Sequence, residues 1–258
     1  MEDNLKIYEN IAKRTNGDIY IGVVGPVRTG KSTFIKNFMD LLVIPNIDNT
    51  YQRERTLDEL PQSGSGRTIM TTEPKFIPNE ATEITINNNV KFKARFVDCV
   101  GYLVNNAIGY MEDDIPRMVK TPWSQEEIPF EKAAEIGTQK VIQEHSTIGI
   151  LVTTDGSFSG INRDDYILAE ERVAKELSTL NKPFVIVLNS ADPNSSGCLS
   201  LASSLEEKYQ VGVIPVDCSN LTIDNVNSIF EKMLYEFPTQ QINIQYPMWI
   251  DALVMTTG

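Results

Sequence analysis

An α/β fold, with a mostly parallel sheet, one antiparallel strand and helices on both faces, is predicted by three features of the sequence. Strand-like apolar runs alternate with amphipathic helical stretches from residue 18 to residue 237, the pattern of parallel strands linked by crossover helices. A glycine-bracketed octapeptide, GPVRTGKS (25–32), falls between the first such strand and the first such helix. One pair of strands is joined directly across Asn87-Asn88-Asn89, which makes one of the two antiparallel.

The elements follow in order. Over residues 4–14, Leu5, Tyr8, Ile11 and Ala12 share one face of a short amphipathic helix, which packs on the domain. DIYIGVV (18–24) is a buried-type strand. KSTFIKNFMDLL (31–42) is a helix that turns Phe34, Ile35, Phe38 and Leu42 inward. Residues 45–74 are polar and read as one long loop, and a loop of that length inside a compact domain is functional or lacks fixed structure. ATEITINNNVKFKARFVD (81–98) gives the two directly joined strands, and a second irregular stretch runs from Asp98 to Pro129. Then come a helix (130–144), the strand TIGILVTT (147–154), a helix (163–180), the strand KPFVIVLN (182–189), a helix (199–209), the strand VGVIPVD (211–217) and a helix (222–237). Residues 1–238 thus form one domain. The tail INIQYPMWIDALVMTTG begins a strand with no helix to cover it, so residues 239–258 read as a linker or the start of a following domain.

Composition excludes several function classes. The apolar and charged fractions, 41% and 22%, are those of an ordinary globular chain, and 258 residues suffice for a sizeable core. A net charge of −12 gives no footprint for nucleic acid and repels anionic lipid, so any membrane association is indirect. Cys99, Cys198 and Cys218 are far apart, which argues against a zinc knuckle or a disulfide frame and for a reducing compartment. The N-terminus is charged throughout, unlike a secretory leader, and no apolar run approaches the ~20 residues of a membrane span.

GPVRTGKS matches the phosphate-binding P-loop pattern in the strand–loop–helix context its mechanism requires. The expected nucleotide contacts here are Gly25, Pro26, Val27, Arg28, Thr29, Gly30, Lys31, Ser32 and Thr33: glycines that let backbone N–H groups face phosphate, a lysine for the β- and γ-phosphates, and a serine for Mg²⁺. FVDCVG (96–101) then places Asp98 at a strand end for Mg²⁺ and Gly101 where its N–H can approach a γ-phosphate. Between them, Thr71 and Thr72 are both candidates for a hydroxyl that senses metal and phosphate. After a later strand, Asn189 and Asp192 hold the spacing of the Asn-Lys-x-Asp loop that reads guanine, but Ser190 stands where the lysine belongs. Ser190 cannot cover a base, so ATP and GTP both stay open on chemistry alone. Cys218 and Ser219 fall at the purine-contact loop. This order of parts is the layout of translation-factor-like small-GTPase domains within the P-loop NTPases.

Three further readings concern turnover. Tyr102 occupies the place after Gly101 where many GTPases carry a water-orienting glutamine, which points to slow intrinsic hydrolysis or to a water-positioning group from elsewhere. Arg28, inside the P-loop, is a candidate to supply internally the charge that some relatives take from K⁺; a solvent-facing arginine is the alternative. His145, Asp113-Asp114 and Glu126-Glu127 read as surface or capping residues, and the LVTTDGSF strand end either borders the nucleotide or, as favoured for Asp155, is an ordinary strand exit.

The strings GPVRTGKSTFIK, GRTIMTTEPKFIP, FVDCVGY and LVTTDGSF together resemble the stage IV sporulation protein A family, the coat-morphogenesis ATPases of endospore-forming bacteria. The resemblance spans the whole chain and corresponds to the N-terminal ATPase part of a longer protein. It implies Mg²⁺-dependent ATP hydrolysis that drives self-assembly into a shell on the outer surface of the forespore, in the mother-cell cytoplasm. The partners implied are further copies of the protein, the small amphipathic membrane protein called stage V sporulation protein M, and other coat proteins. Carried over by position, Lys31 is the P-loop lysine, Asp98 the Walker B aspartate, and Thr71 and Thr72 the sensor threonines. A GTPase switch, or a scaffold holding a structural nucleotide, are the alternatives.

Overall fold

The computed structural model describes residues 2–61, 74–87, 90–104, 111–112 and 115–238. Helix α1 (Glu2–Arg14) leads into β1 (Asp18–Val24), the P-loop and α2 (Lys31–Phe38), which continues through a wider turn at Met39–Val43. Next come α3 (Thr50–Asp58), β2 (Lys75–Ile86) and β3 (Val90–Asp98). Two short hairpins follow, β4 (Met111–Glu112) with β5 (Ile115–Pro116) and β6 (Met118–Thr121) with β7 (Ser124–Pro129). The remainder alternates: α4 (Phe130–Lys140), β8 (Ile148–Thr154), α5 (Arg163–Thr179), β9 (Phe184–Asn189), α6 (Ser196–Tyr209), β10 (Val213–Val216) and α7 (Ile223–Glu236).

The main sheet has six strands in the order β10-β9-β8-β1-β3-β2, parallel throughout except for β2 against β3. The expected fold class is therefore the observed one. After β1 the chain builds β2 and β3 on one side of it, then crosses to build β8, β9 and β10 on the other. The reversal opens a crevice at the carboxyl end of β1, where open α/β sheets bind ligands, and the P-loop lies there. β1, β8 and β9 are almost wholly buried, which is why they read as unbroken apolar runs.

Three sequence expectations change. Residues 50–58 form a helix within the stretch read as loop; Asn49 caps it by accepting the Gln52 N–H at 3.0 Å, and only Thr56 is buried, so no apolar stripe announces it. β2 begins at Lys75, before the expected 81, and its pairing with β3 shifts register between Ile77 and Thr82, next to Pro78. β2 is an edge strand, where a proline is tolerated. The stretch read as irregular to Pro129 contains the two hairpins. Asn88-Asn89, Asp113-Asp114 and the tail 239–258 lie outside the described residues.

Each face of the sheet carries its own core. Helices α1, α2 and α7 cover one, with Tyr8, Ile11, Phe34, Phe38 and Phe230 all buried. Phe38 is the hub: its ring lies 5.0 Å from Phe96, 5.5 Å from Phe230 and 5.6 Å from Phe34. Offset and edge-on aromatic pairs of this kind add to the area they bury. Helices α5 and α6 and the turn after α4 cover the other face, around Tyr166, Val173, Leu177, Cys198 and Leu205. There Arg163 makes a two-point ion pair with the fully buried Glu170, at 2.6 and 2.8 Å, and Glu170 also accepts from Thr153 and Tyr209. Phe38→Ala should lower unfolding stability by about 3–5 kcal/mol, the usual cost of emptying such a site, measured by urea denaturation. A loss below about 1 kcal/mol would contradict this packing.

Candidate nucleotide-binding site

The P-loop runs from the end of β1 to the start of α2. Gly30 adopts φ 92°, and a Cβ there would stand 2.4 Å from Asn189 Nδ2, so only glycine fits between the loop and β9. Phe34 N–H closes on Gly30 O at 2.8 Å. Helix geometry therefore leaves the N–H groups of Lys31, Ser32 and Thr33 without an intrahelical acceptor, at the positive end of the helix dipole. Pro26 and Val27 serve differently from the expected phosphate donors. Pro26 has no N–H, and its carbonyl accepts from Lys31 Nζ at 2.6 Å and from Thr29 Oγ1 at 3.1 Å. The Val27 N–H is spent on Tyr102 O at 2.9 Å and its side chain is buried. Both residues shape the cradle, and the donors come from the residues after them.

At the far end of the cradle, Ser32 Oγ donates to Asp98 Oδ2 at 2.6 Å. The other oxygen, Oδ1, is shielded from solvent and has no hydrogen-bond partner among the described residues. Register explains the meeting, since Asp98 lies level with Val23 across the β1–β3 pair. Burial pushes the Asp98 pKa up, against the Ser32 hydrogen bond and the Lys31 charge, and pushes the Lys31 pKa down. Both charges are thus held at a cost that a polyphosphate and a divalent cation would relieve. Gly101, at φ 92°, closes this end: a Cβ would lie 2.2 Å from Gly25 O and 2.6 Å from Lys31 Nζ. Cys99, its thiol pushed up to about 11 by burial and bonded to Val23 O, is part of the packing.

Tyr102 faces away from the cradle. Its ring is buried under the Arg172 guanidinium at 4.5 Å, and its hydroxyl donates to the Glu176 carboxylate at 2.7 Å. It cannot orient water at a phosphate. Arg28 sits in the left-handed region, φ 63°, which costs a non-glycine residue of order 1–2 kcal/mol. Its Nε is buried without a hydrogen-bond partner among the described residues. The residue as a whole is half-buried. Thr71 and Thr72 lie outside the described residues.

At the base end, Asn189 is buried. Its Nδ2 donates to Thr29 O at 3.0 Å and its Oδ1 accepts the Cys218 N–H at 3.0 Å, so one side chain joins three loops. Asp192 and Ser219 are exposed at the rim, and Cys218 is buried beneath it. Ser190 is buried under the loop, and its hydroxyl accepts the Asp192 N–H at 3.1 Å. Sequence reasoning missed the partner of this loop: Ala191 N–H donates to Ser157 Oγ at 2.9 Å, in the stretch read as an ordinary strand exit. The DGSF tetrapeptide after β8, rich in turn-forming polar residues, was the available signal. His145 stands away from these loops, edge-on to Phe76, and Glu126-Glu127 are exposed.

The residues present fit a nucleoside triphosphate with a divalent cation. The orphaned Asp98 oxygen and the Ser32 hydroxyl are oxygen donors of the kind Mg²⁺ takes. Among the described residues no cluster of three or more His, Cys, Asp or Glu side chains forms an independent metal site. Such a pocket can bind a polyanion, and can polarise its terminal phosphate through Lys31. Among the described residues no helix is long and apolar enough to cross a membrane.

Comparison with known proteins gives the family. The chain is 57% identical over 250 residues to stage IV sporulation protein A of Clostridioides difficile (strain 630), covering 97% of this chain and 51% of the relative. Identity to the proteins of the same name from Bacillus anthracis and Bacillus subtilis (strain 168) is 52% and 51%, again over 97% of this chain and 51% of theirs. The chain thus spans about half the length of the curated relatives it matches. Among solved structures, SsGBP in complex with GDP is 16% identical with a TM-score of 0.46, covering 90% of this chain and 55% of that one; at that level the likeness adds nothing to the sheet order above. Residues 1–238 match the family model for the ATPase domain of stage IV sporulation protein A, and the chain belongs to that family.

Proposed function

We propose that this domain binds and hydrolyses ATP with Mg²⁺, and that turnover drives self-assembly of a spore coat basement layer on the forespore surface. The observation that carries the nucleotide reading is the Ser32–Asp98 pair beside buried Lys31, with one Asp98 oxygen unsatisfied. Adenine rather than guanine is supported by Ser190: its hydroxyl is engaged under the loop and offers no alkyl stem to a base. The intact Asn189 contacts keep the GTP reading as the second one. Assembly, and the partners named above (further copies, stage V sporulation protein M and other coat proteins), are supported by family membership alone.

In this reading Ser32 and Asp98 would hold Mg²⁺, with Thr71 or Thr72, and the ion would supply charge neutralisation at the phosphates. Lys31 turns from its own loop carbonyls to the β- and γ-phosphates. The free N–H groups at the start of α2 hold the phosphates in line, and Gly101 presents its N–H to the γ-phosphate. Arg28, whose Nε is buried without a hydrogen-bond partner among the described residues, is assigned the added positive charge in place of K⁺.

Side-by-side titration of ATP and GTP with Mg²⁺ tests the base: ATP should bind more tightly, and tighter GTP would replace the first reading with the second. Lys31→Ala and Asp98→Ala should each lower kcat/KM for ATP by about 10²-fold or more. Phosphate release equal to that of the unaltered chain would leave the nucleotide as a structural ligand only. Arg28→Ala should reduce kcat by up to about 10³-fold, as removal of an arginine finger does. Equal hydrolysis by variant and parent, with and without K⁺, removes that role.

A further inference from the structure

The Asn189–Asp192 loop lacks the lysine that would cover a base, and hydrogen bonds from neighbouring turns hold its backbone. Every bond that holds it on one side comes from the turn after β8. Asp155 N–H reaches Asn189 O at 3.4 Å, and Ala191 N–H donates to Ser157 Oγ at 2.9 Å. Ser157 N–H in turn donates to Asp155 Oδ1 at 2.9 Å, which closes the turn on itself. The Ser190 hydroxyl accepts the Asp192 N–H at 3.1 Å. Gly156 N–H returns to Thr154 Oγ1 at 3.0 Å, anchoring the turn to the last residue of the strand. Asp155 is only half-buried, and its burial raises its pKa, but hydrogen bonding, from Ser157 above all, outweighs that and lowers it.

We propose that Asp155 and Ser157 are positioning residues for base recognition, holding Ser190, Ala191 and Asp192 in the one arrangement that meets the purine. The inference rests on the site being an ATP site. A loop that reads a base discriminates only when its polar groups are already aligned. In a loop with lysine, the stem and ammonium help fix that alignment across the P-loop. Here the residue at that place is a buried serine, and its hydroxyl accepts the Asp192 N–H instead. Residue 190 thus supports the loop rather than the base, and the Asp155–Ser157 turn holds the residues on either side of it. Neither lies in the phosphate cradle, so their effect belongs to the base half of the ligand.

That division makes the test. Binding of Mg·ATP and of Mg·tripolyphosphate, which has the phosphates without base or ribose, is measured by calorimetry on the parent chain, Asp155→Asn, Ser157→Ala and Ser157→Thr. Asp155→Asn and Ser157→Ala should weaken ATP about 10-fold each, the worth of a lost hydrogen bond near 1.4 kcal/mol, while tripolyphosphate changes less than about 2-fold. Ser157→Thr, which keeps the hydroxyl, should restore ATP binding, and in hydrolysis the losses should fall on KM rather than kcat. Unchanged ATP binding by both variants, or equal losses for the two ligands, overturns the inference while leaving the ATP site intact. A parent chain that binds tripolyphosphate no more weakly than ATP overturns the ATP reading itself. Ser157 is exposed, so its variants fold even if Asp155→Asn does not, and they decide the matter alone.

Discussion

The site depends on one buried amide. Asn189, the last residue of β9, donates to the P-loop at Thr29 O and accepts from Cys218 N–H at the end of β10. Sheet register brings these groups together: Thr154 of β8 and Val216 of β10 both pair level with Asn189. The phosphate loop, the base loop and the purine-contact loop are therefore fixed relative to one another by a single side chain whose four-atom amide has no freedom left. This explains why residue 30 is glycine, since any Cβ would collide with that amide. A buried amide with both ends satisfied is worth more as a geometric constraint than as a stability term, because breaking either bond strands a polar group away from water.

Much of this was legible from the residues. β1, β8 and β9 are buried on both faces, so their sequences are unbroken apolar runs, and the crossover helices carry clear stripes. The P-loop and Asp98 announce themselves because phosphate chemistry needs glycine, lysine and a strand-end carboxylate in fixed order. Helix α3 was not legible, because a helix with only Thr56 buried has no period to read. The first half of β2 was hidden by Pro78, which breaks a strand pattern yet is tolerated at a sheet edge. The roles of Val27 and Pro26 were hidden for a different reason. Motif patterns record which residues surround a ligand, whereas only the structure shows that the Val27 N–H is already spent on Tyr102 O.

Ser190 and Tyr102 carry the same lesson from opposite ends of the pocket. Each replaces a polar residue that acts directly on the nucleotide in the GTPase layout, and each is turned inward. Ser190 holds the Asp192 N–H within its own loop, and Tyr102 ties the Gly101 loop to Glu176 on α5 beneath Arg172. Burial and the hydrogen bond to an ionised carboxylate both raise the Tyr102 pKa, so the phenol remains a donor at any physiological pH. Two positions that would act on ligand have become positions that hold loops.

That exchange leaves the chemistry to very few charges, and the electrostatics of the whole chain make the point sharper. A protein of net charge −12 repels a triphosphate at long range, but screening confines that repulsion to about 8 Å at physiological ionic strength. Within the cradle the balance reverses only locally, through Lys31 and the N–H groups at the start of α2. Asp98 works against them: a triphosphate alone would meet its carboxylate as a like charge at the position where Ser32 points. A divalent cation between carboxylate and phosphate converts the same contact into attraction on both sides. The unsatisfied Asp98 oxygen is thus a liability for bare nucleotide and an asset for the metal complex, which is the physical reason to expect binding and metal dependence to be inseparable in this domain.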